Sequence, residues 1–225
     1  PPSVGEYIKG KYLVNTVAPP KPYVFIIDEI NRGEISKIFG ELFYSVDPGY
    51  RGEKGKVMTQ YQNLVPQDDT FFNGFYIPEN VYIIGTMNDI DRSVESMDFA
   101  MRRRFAWKEI TASSRQSMLD EDEAWNDNKP TDEVIQDMKN RMNNLNACII
   151  DQYQSSTNTS RDRIGLTKAY QIGASYFLKY GLYGNFDDLW ENHLKGLLYE
   201  YLRGTTDIET KIARLYEAYN DIEAH

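Results

Sequence analysis

Residues 23–29, Tyr-Val-Phe-Ile-Ile-Asp-Glu, decide how the chain is read. An unbroken run of aromatic and β-branched residues has the composition of a short buried strand. The run stops at two adjacent carboxylates, Asp28 and Glu29. Acids at the end of a buried strand cost free energy unless something holds them. A Mg²⁺ ion answers that need, because it prefers oxygen ligands and keeps several of its waters. In an α/β domain that acts on nucleotides, Asp28 would hold the hydrated metal and Glu29 would polarise an attacking water. The same string also occurs at ordinary strand ends, where acids cap the next helix. The surrounding sequence has to decide.

Downstream, Ile35, Ile38, Phe39, Leu42 and Phe43 recur at helical spacing, which predicts an amphipathic helix directly after the strand. Asn31 and Arg32 fall in the turn between them, at the edge where open α/β sheets place ligands. Asn31 reads equally as a helix cap and as a polar group of an active site or subunit interface. Residues 48–80 are polar, with turns marked by Gly49, Gly52 and Gly55. Within them, Val-Met-Thr-Gln-Tyr and Phe-Tyr-Ile-Pro predict a β-hairpin extension. Residues 81–88, Val-Tyr-Ile-Ile-Gly-Thr-Met-Asn, form a second predicted buried strand. Strand C-termini of a doubly wound sheet share one rim. Asn88 therefore falls near Asp28 and Glu29, where it could orient water or touch a terminal phosphate. Asn88 could equally form a turn before Asp89. A helical segment follows and ends in Arg102, Arg103 and Arg104. One or two cations suit a helix C-terminus. Three beside a nucleotide rim suit phosphate chemistry, to which arginine brings a fixed fork and a permanent charge.

Upstream, Pro19, Pro20 and Pro22 stop any helix before the strand. The sequence contains no G-x-x-x-x-G-K-[ST] phosphate loop and begins without Met: a complete chain would argue against hydrolysis, and a fragment would have its loop upstream of Pro1. The 225 residues suggest one large or two small domains, and 41% hydrophobic residues suffice for a core. A net charge of −9 argues against a main DNA-binding surface here. A single cysteine, Cys148, forbids an internal disulfide, and a reducing, cytoplasmic setting is expected. No apolar run is long enough to span a membrane.

Three stretches taken together, Tyr23–Phe43, Val81–Ser93 and Met97–Trp107, resemble the AAA+ ATPases, and among them the McrB family, the GTP-using subunits of modified-cytosine restriction systems. That family carries an MN-x-x-DRS signature after its sensor strand, and residues 87–93 here are Met-Asn-Asp-Ile-Asp-Arg-Ser. The resemblance implies that Asp28 is the Walker B residue serving Mg²⁺ through water and Glu29 the catalytic glutamate. Asn88 would be sensor 1. Asp91 and Arg92 would belong to the signature that couples hydrolysis to a partner. Arg103 and Arg104 would be the leading arginine-finger candidates, with Arg102 behind them, and Asn31 would lie at the nucleotide. The cofactors implied are Mg²⁺ and GTP, or ATP. The partners implied are further copies of the chain in a ring, a separate McrC-like nuclease subunit, and DNA through a module outside this segment.

From residue 110 the character changes. An acidic, turn-rich stretch broken by Pro130 reads as a solvated face. Residues 134–150 predict a helix with Val134, Met138, Met142, Leu145 and Ile149 as its apolar stripe. Cys148 lies beside that stripe as a small core residue. Ala169–Tyr180 resembles the family's lid segment, with Gln171 where a phosphate-sensing cation would stand. Two more helical patterns close the chain, the last opened by Thr206 as cap. His193 has no second His or Cys nearby, which disfavours a metal site there. The expected fold is α/β: the C-terminal part of an AAA+ αβα core over residues 1–109, without a Walker A, then an all-helical lid over 110–225. The expected function is nucleoside triphosphate hydrolysis, with GTP ahead of ATP. An ATP-using remodeller of the MoxR or dynein-like branch and a non-hydrolysing scaffold are the rivals. A nuclease is set aside for want of an acid cluster with a lysine.

Overall fold

The computed structural model describes residues 20–88, 90, 99–152 and 163–221. The segment before Pro20, the stretch 91–98, which holds Asp91 and Arg92, and residues 153–162 lie outside the described residues. The chain divides into two compact units, Pro1–Trp107 and Lys108–His225.

The first unit is built on two parallel strands, β1 (Tyr23–Ile27) and β2 (Val81–Gly85). Their register pairs Tyr23 with Val81 and Ile27 with Gly85. Parallel neighbours need a long crossover, which residues 28–80 supply. The sequence predicts buried strands. Tyr23, Val24, Phe25, Ile26, Tyr82 and Ile84 are instead 50–64% exposed, since among the described residues the apolar packing gathers at the C-terminal strand ends and not over the sheet faces. There Ile30, Ile35 and Met101 form a small core, with Ile27, Phe39, Phe43, Met87 and Phe105 packed against it. Gly85 makes this possible: a Cβ on it would stand 2.9 Å from Ile30 Cδ1.

The predicted long helix after β1 is shorter. Ile30–Arg32 is a 3₁₀ turn, α1 spans Ile35–Phe39, and the chain continues as 3₁₀ over Gly40–Val46. Gly40, at φ 49°, breaks the α geometry, and Ile38, expected on the apolar face, is exposed. The 48–80 excursion, expected as a hairpin, holds one antiparallel bridge, Val57 with Phe75, closed by reciprocal N–H···O bonds of 2.9 and 2.8 Å. Gln62 adds two bonds from its amide to the carbonyls of Phe71 and Phe72, at 2.6 and 2.8 Å. Arg51 ties the excursion to the sheet by donating to the carbonyls of Val81 and Val46, and burial pushes its pKa down. Helix α2 (Phe99–Arg102) closes the unit.

The second unit is helical: α3 (Asp132–Ile149), α4 (Ala174–Phe177), α5 (Phe186–Leu189), α6 (Lys195–Tyr201) and α7 (Ile208–Asn220). A π-helical turn, Trp190–Leu194, joins α5 to α6. The stripe of α3 is buried at Met138, Met142, Leu145 and Ile149, with Ile135 taking the place expected of Val134. Cys148 lies in this core, and burial raises its pKa to about 12, so it is an inert thiol. Asn146 uses both ends of its amide on the backbone of Ile172, at 2.6 and 2.9 Å. Gln171 turns inward to the Asn146 carbonyl, at 3.4 Å. Helix α7 begins after Asp207, at φ 57°, and not on the hydroxyl of Thr206. His193 Nδ1 accepts from Lys179 Nζ at 3.3 Å, and its Nε2 donates to Tyr183 Oη at 3.1 Å. Burial first, and Lys179 second, lower its pKa.

Arg141 is the polar keystone of the unit. Buried in α3, it bonds Asp137 at 3.0 Å, the Tyr219 carbonyl at 3.2 Å and Asn220 Oδ1 at 2.6 Å. Its guanidinium lies over the rings of Phe186 and Tyr219, at 4.2 and 5.2 Å. Arg141→Ala would leave Asp137 and the α7 terminus without their donor. It is expected to lower unfolding stability by about 3–5 kcal/mol, the range for breaking a buried ion pair. Denaturant unfolding followed by tryptophan fluorescence measures this; a loss below about 1 kcal/mol, the worth of a surface pair, would contradict it.

Candidate functional site

The C-terminal ends of β1 and β2 form one rim. The parallel register that pairs Ile27 with Gly85 brings the next residues, Asp28 and Thr86, opposite each other. The Thr86 hydroxyl donates to Asp28 Oδ1. Thr86 Oγ1 in turn accepts from the backbone N–H of Glu29 at 3.1 Å. The Thr86 main chain is engaged as well: its N–H donates to Ile27 O at 3.0 Å and its carbonyl accepts from Ile30 N at 2.8 Å. Asn31 donates through Nδ2 to the carbonyl of Asn88 at 3.1 Å. Asn88 Oδ1 accepts from Ile90 N at 3.3 Å. Asp28, Glu29, Asn31 and Asn88 thus come to one edge, joined by Thr86.

Glu29 sits at φ 51°, ψ 49°, the left-handed region. For a residue with a Cβ this costs about 1–2 kcal/mol, and such strain gathers at functional sites. Two bonds onto Thr86, from Glu29 N and Ile30 N, hold the turn. The Glu29 carboxylate pairs with Arg32 Nε at 2.6 Å, with both side chains more than half exposed. A pair so exposed is worth at most about 1 kcal/mol, weak enough to release the carboxylate to a water.

The donor set fits Mg²⁺ held through water. Asp28 offers one oxygen oriented by Thr86, and its second oxygen makes no hydrogen bond among the described residues. Among the described residues no cluster of three or more His, Cys, Asp or Glu builds an all-protein metal cage. Mg²⁺ is ordinarily bound through one or two carboxylates together with substrate phosphates, and this rim offers the carboxylates.

The three arginines are not equivalent. Arg104 lies over the Phe43 ring at 4.3 Å and donates to the Ala100 carbonyl. Arg102 stacks on Trp107 at 4.9 Å, and Trp107 Nε1 donates back to the Arg102 carbonyl at 2.8 Å. Arg103 is exposed, with no ion pair or ring contact among the described residues. Asp91 and Arg92 lie outside the described residues. Sequence reasoning missed Thr86 and Arg51, and placed Arg32 at the ligand edge without its pairing to Glu29. For Thr86 the signal was present, a hydroxyl one residue past the strand end. Its use depends on a register that a single strand does not disclose.

Residues 4–105 match the AAA domain of the dynein-related subfamily. Two curated relatives are similar. The Type IV methyl-directed restriction enzyme EcoKMcrB subunit of Escherichia coli (strain K12) is 37% identical over 164 residues, 71% of this chain and 31% of that protein. The Type II restriction enzyme BsuMI component YdiS of Bacillus subtilis (strain 168) is 27% identical over 101 residues, 44% of this chain and 29% of that protein. The chain spans about a third of the length of these relatives. Among the described residues no helix is long and apolar enough to cross a membrane.

Proposed function

The chain is a McrB-like member of the AAA+ superfamily, and on that premise we propose that it is the nucleoside triphosphate-hydrolysing motor subunit of a modification-dependent DNA restriction system, fuelled by GTP. The observation that carries this reading is the shared rim, where two strand-end carboxylates, a left-handed Glu29 and the Asn31–Asn88 contact meet. Asp28 would hold the hydrated Mg²⁺, which when bound would supply positive charge to offset that of the phosphates. Glu29 takes the proton of the attacking water, and Asn88 positions that water. Asn31 steadies Asn88 through its carbonyl. An arginine from a neighbouring copy neutralises developing charge, so catalysis is positioning and electrostatics throughout. Residues 110–225 serve as the helical lid. Asp91 and Arg92 couple hydrolysis to a separate nuclease subunit, and DNA is read by a module outside this segment.

A second reading, an ATP-using remodeller, is favoured by the match to the dynein-related subfamily. Steady-state turnover of GTP and of ATP by the full-length protein separates the two. GTP turnover with ATP inert supports the restriction motor. ATP turnover with GTP inert selects the remodeller. No turnover of either, with candidate partners added, sinks the motor and leaves a scaffold on the same fold.

A further inference from the structure

We propose that Thr86 is a positioning residue for hydrolysis: its one hydroxyl sets both Asp28, on the metal side, and Glu29, on the water side. This rests on the reading of Asp28 and Glu29 given above. A threonine hydroxyl has one proton to give and lone pairs to accept with. Here the proton goes to Asp28 Oδ1 and a lone pair takes the N–H of Glu29. The two acids are neighbours in sequence, yet their jobs differ, and one atom beside them holds the carboxylate of the first and the backbone turn of the second. The Thr86 main chain is pinned by Ile27 O and Ile30 N, and Gly85 lets Ile30 close beneath it. The hydroxyl is therefore held in place by the sheet and not by the acids it orients. Partners behind a metal-serving carboxylate fix its rotamer and typically change metal affinity or activity by about 10–100-fold when lost.

The test uses the full-length protein carrying Thr86→Val, which keeps the shape and removes the hydroxyl, and Thr86→Ser, which keeps the hydroxyl. Two measurements are made: steady-state kinetics with the nucleotide that is turned over, and Mn²⁺ binding by electron paramagnetic resonance in the presence of its imidotriphosphate analogue. Thr86→Val is expected to lower kcat by about 10–100-fold and weaken Mn²⁺ binding by about tenfold. KM for the nucleotide, measured at saturating Mg²⁺, should stay within about twofold, because the hydroxyl's partners are the two acids. Thr86→Ser should retain Mn²⁺ affinity and most of kcat. A Thr86→Val enzyme with unchanged kcat and Mn²⁺ affinity overturns the proposal. So does a Thr86→Ser enzyme as defective as the valine variant, since packing and not the hydroxyl would then matter. Should the valine variant fail to fold, the serine variant's Mn²⁺ affinity decides alone. Asp28→Asn and Glu29→Gln run in parallel: if both stay active, the reading of the site has failed; if both are dead and Thr86→Val is normal, only the role of Thr86 has failed.

Discussion

Glu29→Gln is expected to lower kcat for nucleoside triphosphate hydrolysis by about 10²–10⁴-fold, the usual contribution of a positioned general base, while nucleotide affinity stays near that of the unaltered protein. The substitution keeps the size of the side chain and the backbone N–H bond to Thr86, so the left-handed turn persists. What it removes is the carboxylate charge, and with it the ion pair to Arg32. That pair is exposed and worth little, so its loss does not by itself unfold the rim. On the proposed reading the base is lost, while Mg²⁺ is served by Asp28 and not by Glu29. Single-turnover hydrolysis and equilibrium binding of a fluorescent nucleotide, both on the full-length protein, separate the two effects. Hydrolysis remaining above about a tenth of the normal rate would remove Glu29 from the base role. Tight binding lost together with hydrolysis would instead place Glu29 among the binding groups. Asp28→Asn should behave differently, raising the Mg²⁺ concentration needed for half-maximal activity, since a neutral amide orders the metal's waters less well.

The strand-end acids were legible because apolar runs that end in charge are uncommon, and the rim rule placed Asn88 beside them before any register was known. The register itself was not legible. Parallel pairing is set by residues on two strands separated by the whole crossover, and only that pairing turns Thr86 from an ordinary β-former into the link between Asp28 and Glu29. The apolar period after Glu29 promised a longer helix than exists. Gly40 in a left-handed conformation and the small size of the Ile30–Ile35–Met101 core shift the segment to 3₁₀ geometry. Strand composition likewise predicted burial that the described residues do not provide, because hydrophobicity states a preference and says nothing of which element meets it. In the second unit the α3 stripe came through with a one-residue shift from Val134 to Ile135. Arg141, buried among rings and carbonyls, carried no signal in the sequence. Burial of a cation is decided by partners from α7, which a helical period along α3 does not contain.

The arginine triplet shows how structure divides residues that sequence treats alike. Phe43 and the Ala100 carbonyl occupy Arg104, and Trp107 occupies Arg102. Arg103 is the member whose guanidinium stays exposed and unengaged among the described residues. It is therefore the one expected to reach the site of a neighbouring copy. Arg103→Ala should lower kcat by about 10³-fold or more, as removal of an arginine finger does, with the folding transition unchanged because no packed contact is lost. Arg104→Ala should show the opposite balance, with reduced thermal stability from the lost ring and carbonyl contacts. Action in trans has a sharper signature than the loss itself. Arg103→Ala subunits keep their own Glu29, and Glu29→Gln subunits keep an intact Arg103. When the two inactive proteins are mixed, each interface that sets the first kind's active site against the second kind's arginine has both groups. Mixing should restore hydrolysis to a substantial fraction of normal, with a dependence on the mixing ratio that peaks between the pure proteins. An arginine serving its own subunit's site would leave every mixture inactive, because no subunit would then hold Glu29 and Arg103 together.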